Sequence, residues 1–136
     1  MADAPLQLSR LGQVAQPVTD IERAVTFYRD VLGARHQATF NPPGLAFFDF
    51  DGVRLMLDAI AEAQGHGAPL YFHVPDLGAA CAALEARGVT IDVAPHMINR
   101  DDAGVFGTPG METWMAFFKD PDGNILAVMN EVAPTS

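Results

Sequence analysis

Side chains alternate over Gln13-Val-Ala-Gln-Pro-Val18 and again over Leu70-Tyr-Phe-His-Val74, the period of two that marks a half-buried strand. Each run leads into a residue suited to open a helix. Thr19-Asp-Ile-Glu22 fits a capping box, in which the hydroxyl takes a backbone N–H and the glutamate reaches back, while Asp76 is a simple cap. Apolar positions then recur at helical spacing: Ile21, Ala24, Val25, Tyr28 and Leu32 in the first case, Leu77, Ala80, Cys81 and Leu84 in the second. They predict two helices of about three turns, closed by Gly33 and Gly88 in the left-handed conformation. Further on, Phe47-Phe-Asp-Phe-Asp-Gly52 before Val53 to Leu57, and Phe117-Phe-Lys-Asp-Pro-Asp-Gly123 before Asn124 to Val128, each predict a hairpin with an Asp-Gly turn.

The two halves are therefore one pattern written twice, offset by 56 residues where Gln13 to Asp20 overlies Pro69 to Asp76. The unit is strand, helix and three strands, with a Gly/Ala-rich linker near Ala61 to Ala68. Module one covers about 8–60 and module two about 68–132, within a single domain of 136 residues. Asp20 to Asp51 spans 31 residues but Asp76 to Asp122 spans 46. The surplus falls between Pro95 and Glu112, and it predicts a loop that covers a binding cavity and tightens on the ligand.

Composition narrows the partners. Seventeen acidic against eight basic residues give a net charge of −9, which opposes the phosphate neutralisation that nucleic acid requires and disfavours anionic membranes. The longest apolar run, Ala79 to Leu84, is far short of a membrane span, and the N-terminus lacks a signal-peptide pattern. A cytoplasmic protein is expected. Cys81, the sole cysteine, shares an apolar helical face with Leu77 and Leu84 and reads as core.

Val18-x-Asp20 with Ala24, Phe27-Tyr28 and Leu32-Gly33, followed late by Phe118-x-Asp-Pro-Asp-Gly-Asn124, resembles the vicinal oxygen chelate superfamily. That group includes glyoxalase I, methylmalonyl-CoA epimerase, extradiol dioxygenases, fosfomycin-resistance transferases and bleomycin-binding proteins. The resemblance implies an α+β fold: two tandem βαβββ modules forming a curled, half-open mixed sheet with helices outside. It also implies a homodimer. The more apolar alternate set, Val14, Val18, Leu55, Leu57, Leu70, Phe72, Val74, Leu126 and Val128, should face the helices. The opposite set includes Gln13, Ala15, Pro17, Arg54, Met56, Asp58, Pro69, Tyr71, His73, Ile125, Ala127 and Met129. Both faces of Thr113 to Lys119 are apolar, and the resemblance turns Thr113, Met115 and Phe117 inward.

Metal-using members of the superfamily place ligands at positions that here carry Gln13, Met56, Pro69 and Ala127. Only Gln13 offers a hard donor, so no metal and no other cofactor is expected. A divalent ion held by Gln13, His96 and Glu112 is the alternative. Among the other histidines, His66 in Gly-His-Gly reads as surface and His36 has no evident partner. His73 lies mid-strand beside Tyr71, where an imidazole suits proton transfer near neutral pH. Arg54 would pair with Asp58 or with an anionic ligand group.

The substrate-binding candidates are thus Gln13, Arg54, Met56, Tyr71, Met115, Phe117 and Met129, and the catalytic candidates His73, His96 and Glu112. A lining rich in methionine and aromatic rings suits a small, partly apolar ligand, although the same residues also fill cores. Two functions follow: a metal-independent isomerase or lyase, or a non-catalytic protein that sequesters an antibiotic or metabolite. A metalloenzyme with non-standard ligands is the third.

Overall fold

The computed structural model describes residues 6–60 and 67–134, which fall in two compact units, 1–62 and 63–136. In the first, strand β1 (Gln13–Val18) leads to helix α1 (Ile21–Thr26), then to β2 (Arg35–Phe40), β3 (Leu45–Phe50) and β4 (Val53–Ala59). The second repeats this with β5 (Leu70–His73), α2 (Leu77–Ala86), β6 (Val93–Asp101), β7 (Met111–Lys119) and β8 (Ile125–Val132). Each unit is βαβββ, and together they make an α+β fold. The sheets are ordered β1-β4-β3-β2 and β5-β8-β7-β6. The first and last strands of each unit run parallel, and the remaining pairs are antiparallel. Among the described residues no helix is long and apolar enough to cross a membrane. The linker from 61 to 66, with His66, lies outside the described residues.

Both helices start on an aspartate. Asp20 Oδ1 accepts from the Arg23 N–H at 3.1 Å, and Asp76 Oδ1 from Ala79 N–H at 3.0 Å. The cap of α1 is thus one residue later than the expected Thr19, whose hydroxyl instead accepts from the Arg23 side chain at 3.0 Å. Helix α1 continues over Phe27–Val31 in wider turns, with Leu32 N–H donating to Phe27 O, and ends at Gly33 with φ 73°. Gly88 closes the second helical region at φ 87°.

Pleating sorts the side chains. In the first unit the buried set is Val18, Ile21, Ala24, Val25, Tyr28, Ala46, Phe48, Leu55 and Leu57, with the Tyr28 and Phe48 rings 5.9 Å apart. His36 rests on Phe48 at 5.3 Å and bonds Thr39 Oγ1 at 2.6 Å, so it has partners after all. In the second unit Leu77, Cys81, Leu84, Ala116, Phe118, Leu126 and Val128 are buried. Burial pushes the Cys81 thiol pKa up, with Glu85 adding to the effect, as suits a core residue. Val14, Leu70, Phe72 and Val74 are only half-buried.

Two turns fix the registers. Asp51 and Gly52 both have positive φ, 52° and 90°, and join Phe50 directly to its partner Val53. In the second unit Asp120 organises the turn: its Oδ1 accepts from the backbone N–H of Asp122 and Asn124, and its Oδ2 from Asn124 Nδ2, each at 2.9 Å. Asn124 Oδ1 in turn accepts from Gly67 N–H at 3.0 Å. The Asp-Pro-Asp-Gly-Asn motif is therefore a hydrogen-bonded clasp.

The expected loop from Pro95 to Glu112 is mostly sheet. Residues 95–101 belong to β6 and pair with β7 from Met111, leaving only 102–110 as the connection. The strand escaped notice because β6 is the outermost strand and almost wholly exposed, so burial imposes no alternation on its sequence. Its end is braced. Asp101 Oδ1 accepts from Val105 N–H at 2.7 Å, Oδ2 from Phe106 N–H at 2.9 Å, and its carbonyl from Gly110 N–H at 2.7 Å. Replacing Asp101 with alanine removes both carboxylate bonds. The Val105 and Phe106 amides should then exchange hydrogen about tenfold faster, a change worth ~1.4 kcal/mol. Exchange followed by NMR checks this, and unchanged rates would mean the turn is held otherwise.

Gln16 is the anomaly of the first core. It is fully buried in β1 opposite Leu57, and among the described residues neither its Oε1 nor its Nε2 has a hydrogen-bond partner. An unsatisfied buried amide is costly, and methionine has nearly the same shape without the polar atoms. Gln16→Met should raise stability by about 1 kcal/mol and Tm by about 3–5 °C. Calorimetry tests the sign; a lower Tm would reveal that the amide is satisfied in solution.

Candidate functional site

In each unit the sheet face away from the helix carries the predicted site residues other than Glu112, and register shows which of them meet. In the first unit one cross-strand row reads Arg35, Asp49, Arg54 and Gln13. The next reads Ala38, Phe47, Met56 and Ala15, and beyond it lie Phe40, Leu45, Asp58 and Pro17. Gln13 Nε2 donates to Met56 Sδ at 3.8 Å, and Arg54 Nη1 donates to Gln13 Oε1 at 3.5 Å. The Arg54 guanidinium lies 5.8 Å from the centre of the Phe47 ring. Gln13, Arg54 and Met56 thus form one cluster. The expected Arg54–Asp58 pair does not form, because four residues along one strand set the two groups two rows apart. Beside the cluster is a hollow of about 330 Å³ lined by Gln37, Ala38, Phe40, Phe47 and Arg54. Phe40 and Phe47 were not among the expected residues; the alternation of β3 would have pointed to Phe47.

The second unit assembles a different surface. Tyr71 and Phe117 flank Ala127 in register, and their rings meet edge to face at 6.3 Å. This explains why Ala127 is only 1% exposed although it lies on the open face. His73 and Met115 flank Met129 in the same way, and His96 pairs with Met115 across β6. His96 also stands 6.4 Å from the Phe117 ring and bonds Ala94 O through Nδ1 at 3.0 Å. His73 Nε2 is 3.8 Å from Glu131 Oε1. Glu131 was missed by the sequence reading; it lies two residues past Met129 on the same strand face.

Glu112 is elsewhere. It faces the helix side of β7, 7% exposed, where Arg100 Nη2 donates to it at 2.9 Å and Trp114 Nε1 at 3.0 Å. It therefore does not join His73 and His96, and with His96 on the other face the proposed Gln13, His96 and Glu112 metal set has no common point in the second unit. The Trp114 indole N–H and the Arg100 guanidinium hold the Glu112 carboxyl below its ordinary value of 4.5, against the opposing effect of burial.

Gln13, Met56, Pro69 and Ala127 hold the four positions that the resemblance assigns to metal ligands. Gln13 and Met56 bond each other, Pro69 has no donor, and Ala127 lies under two rings. These residues do not fit a hard divalent ion. Among the described residues no three His, Cys, Asp or Glu side chains are grouped to hold one.

Because its folded pKa is depressed, Glu112 contributes stability that is present above about pH 4.5 and lost as pH falls through the folded pKa. Trp114 is the chain's one tryptophan, so its fluorescence reports the step. An acid titration should show an emission change below pH 4.5 that is missing in Glu112→Gln, together with a shallower loss of stability in that variant. Identical titrations would mean that the indole does not sense this carboxylate.

The family model described as Glyoxalase/Bleomycin resistance protein/Dioxygenase superfamily matches residues 10–128. The chain is 31% identical over 136 residues to a glyoxylase-like domain-containing protein of Didymella fabae, covering 88% of this chain and 91% of that one. It is 33% identical over 122 residues to a lactoylglutathione lyase of Haemophilus influenzae, covering 78% and 81%. Among solved structures it resembles TnmS3, an antibiotic binding protein from a Streptomyces species, at 26% identity and TM-score 0.66, covering 91% and 97%.

Proposed function

The chain belongs to the glyoxalase/bleomycin resistance protein/dioxygenase superfamily, and on that premise we propose that it binds a small, partly apolar organic molecule without using a divalent metal. The observation that carries this reading is the fate of the ligand positions. Where a metal site would need carboxylates and imidazoles, this chain has an amide bonded to a thioether and an alanine beneath an aromatic pair. Those residues offer apolar and polarisable contacts instead. On the open face of the second unit Tyr71 and Phe117 present ring faces and edges to a ligand, and Met115 and Met129 adapt to its outline. His73 on that face offers a hydrogen bond to orient it, and the first unit carries its own polar pair, Gln13 and Arg54, beside Met56. Similarity to an antibiotic binding protein supports sequestration as the biological use.

A second reading rests on one observation, the 3.8 Å approach of Glu131 to His73. A carboxylate beside an imidazole orients the ring for proton transfer next to a carbonyl. In that case the protein is an isomerase or lyase with His73 as base and His96 at the edge of the site.

Isothermal titration against a panel of aromatic antibiotics and metabolites, in EDTA and then in added Mn²⁺, Ni²⁺ or Zn²⁺, tests the proposal. Binding should be the same in every condition, and Phe117→Ala should weaken it by about tenfold or more through loss of ring contact. Lactoylglutathione lyase activity that appears only with added metal would overturn the metal-free reading. Turnover abolished by both His73→Ala and Glu131→Gln, with binding kept, would select the enzyme.

A further inference from the structure

We infer that the open sheet face of the first unit receives the anionic end of the ligand, and that the ligand class is an aromatic or otherwise flat apolar molecule bearing a carboxylate, with Arg54 as its receptor. The inference rests on the small-molecule reading above and adds the chemistry of the substrate.

The register itself sorts this face into a polar row and apolar rows. Across β2, β3, β4 and β1 the first row carries Arg35, Asp49, Arg54 and Gln13, two cations against one anion. Asp49 sits directly across from Arg54, yet its Oδ1 accepts from Gly52 N–H at 3.1 Å. Among the described residues no carboxylate lies within 4.0 Å of the Arg54 guanidinium, although acidic residues outnumber basic ones by 17 to 8 in the chain.

What holds Arg54 instead is neutral. Gln13 Oε1 accepts from Nη1, and the guanidinium carbon lies over the Phe47 ring. Five N–H donors on a planar fork, one of them engaged, leave an edge suited to a bidentate carboxylate. A cation fixed on a ring loses less freedom on pairing than a free one.

The neighbouring hollow supplies the other half of the match. Phe40 and Phe47 meet edge to face at 6.0 Å and line it together with Arg54. A flat apolar body laid against these rings brings its carboxylate to the guanidinium. The acid in the third row, Asp58, lies at the far end of the apolar stretch and repels an anion placed there, which fixes the direction of the ligand.

The test uses two probes of one shape, 2-naphthoate and its neutral amide, 2-naphthamide, followed by NMR on the full chain. The acid should bind about fivefold tighter than the amide, the ratio that ~1 kcal/mol of partly exposed ion pairing gives. Its binding should shift the resonances of Phe40, Phe47 and Arg54, and the preference should shrink as salt rises. Arg54→Gln should bring the two affinities together, while Arg54→Lys keeps the preference. Equal affinities in the unaltered protein, or a preference that survives Arg54→Gln, would overturn the inference. If both probes bind equally and shift Tyr71 and Phe117 instead, the anion site falls and the small-molecule reading stands. If neither probe shifts either face, both fall.

Discussion

Pleating gives every strand two faces, and in both units one of those faces is committed to a helix. Phe48, Leu55 and Leu57 under α1, and Ala116, Phe118, Leu126 and Val128 with α2, leave no freedom in register, because a slip of one residue would expose all of them at once. The parallel pairing of β1 with β4 and of β5 with β8 then fixes which residues stand side by side on the other face. Gln13 meets Arg54, and Tyr71 reaches Phe117 across Ala127, only because the cores beneath them hold the strands in step.

That constraint also assigns the charged residues to two kinds of work. Asp20, Asp76, Asp101 and Asp120 each satisfy backbone N–H groups at helix starts or turns. Glu112 clamps Arg100 and Trp114 on the helix side. Their oxygens are occupied by the fold. Arg54, His73, His96 and Glu131 stand on the open faces, where their polar atoms meet neutral neighbours or each other at longer range. The division between structural and available polar groups follows the faces of the sheets.

Met56 and Ala127 each shape the open face of their own unit. The thioether accepts the Gln13 amide, and the small methyl of Ala127 lets two aromatic rings close over it. A longer polar side chain at 127 would hold Tyr71 and Phe117 apart.

By itself the sequence determined the repeat, the βαβββ order, the helix ends at Gly33 and Gly88, and which residues of β4 and β8 lie under a helix. These depend on local period, turn chemistry and the short reach of capping side chains, all of which are contained in a few consecutive residues. The cap was read one residue early because Thr19 and Asp20 both offer a suitable oxygen, and only the backbone angle at Asp20 decides between them. Strand β6 was read as a loop because an exposed outer strand carries no burial pattern. The side of the sheet on which Glu112 lies and the meetings of His73 with Glu131 and of Arg54 with Phe47 were decided by tertiary structure. Each of them depends on which residues of distant strands fall opposite one another, and that register is set by packing against the helices.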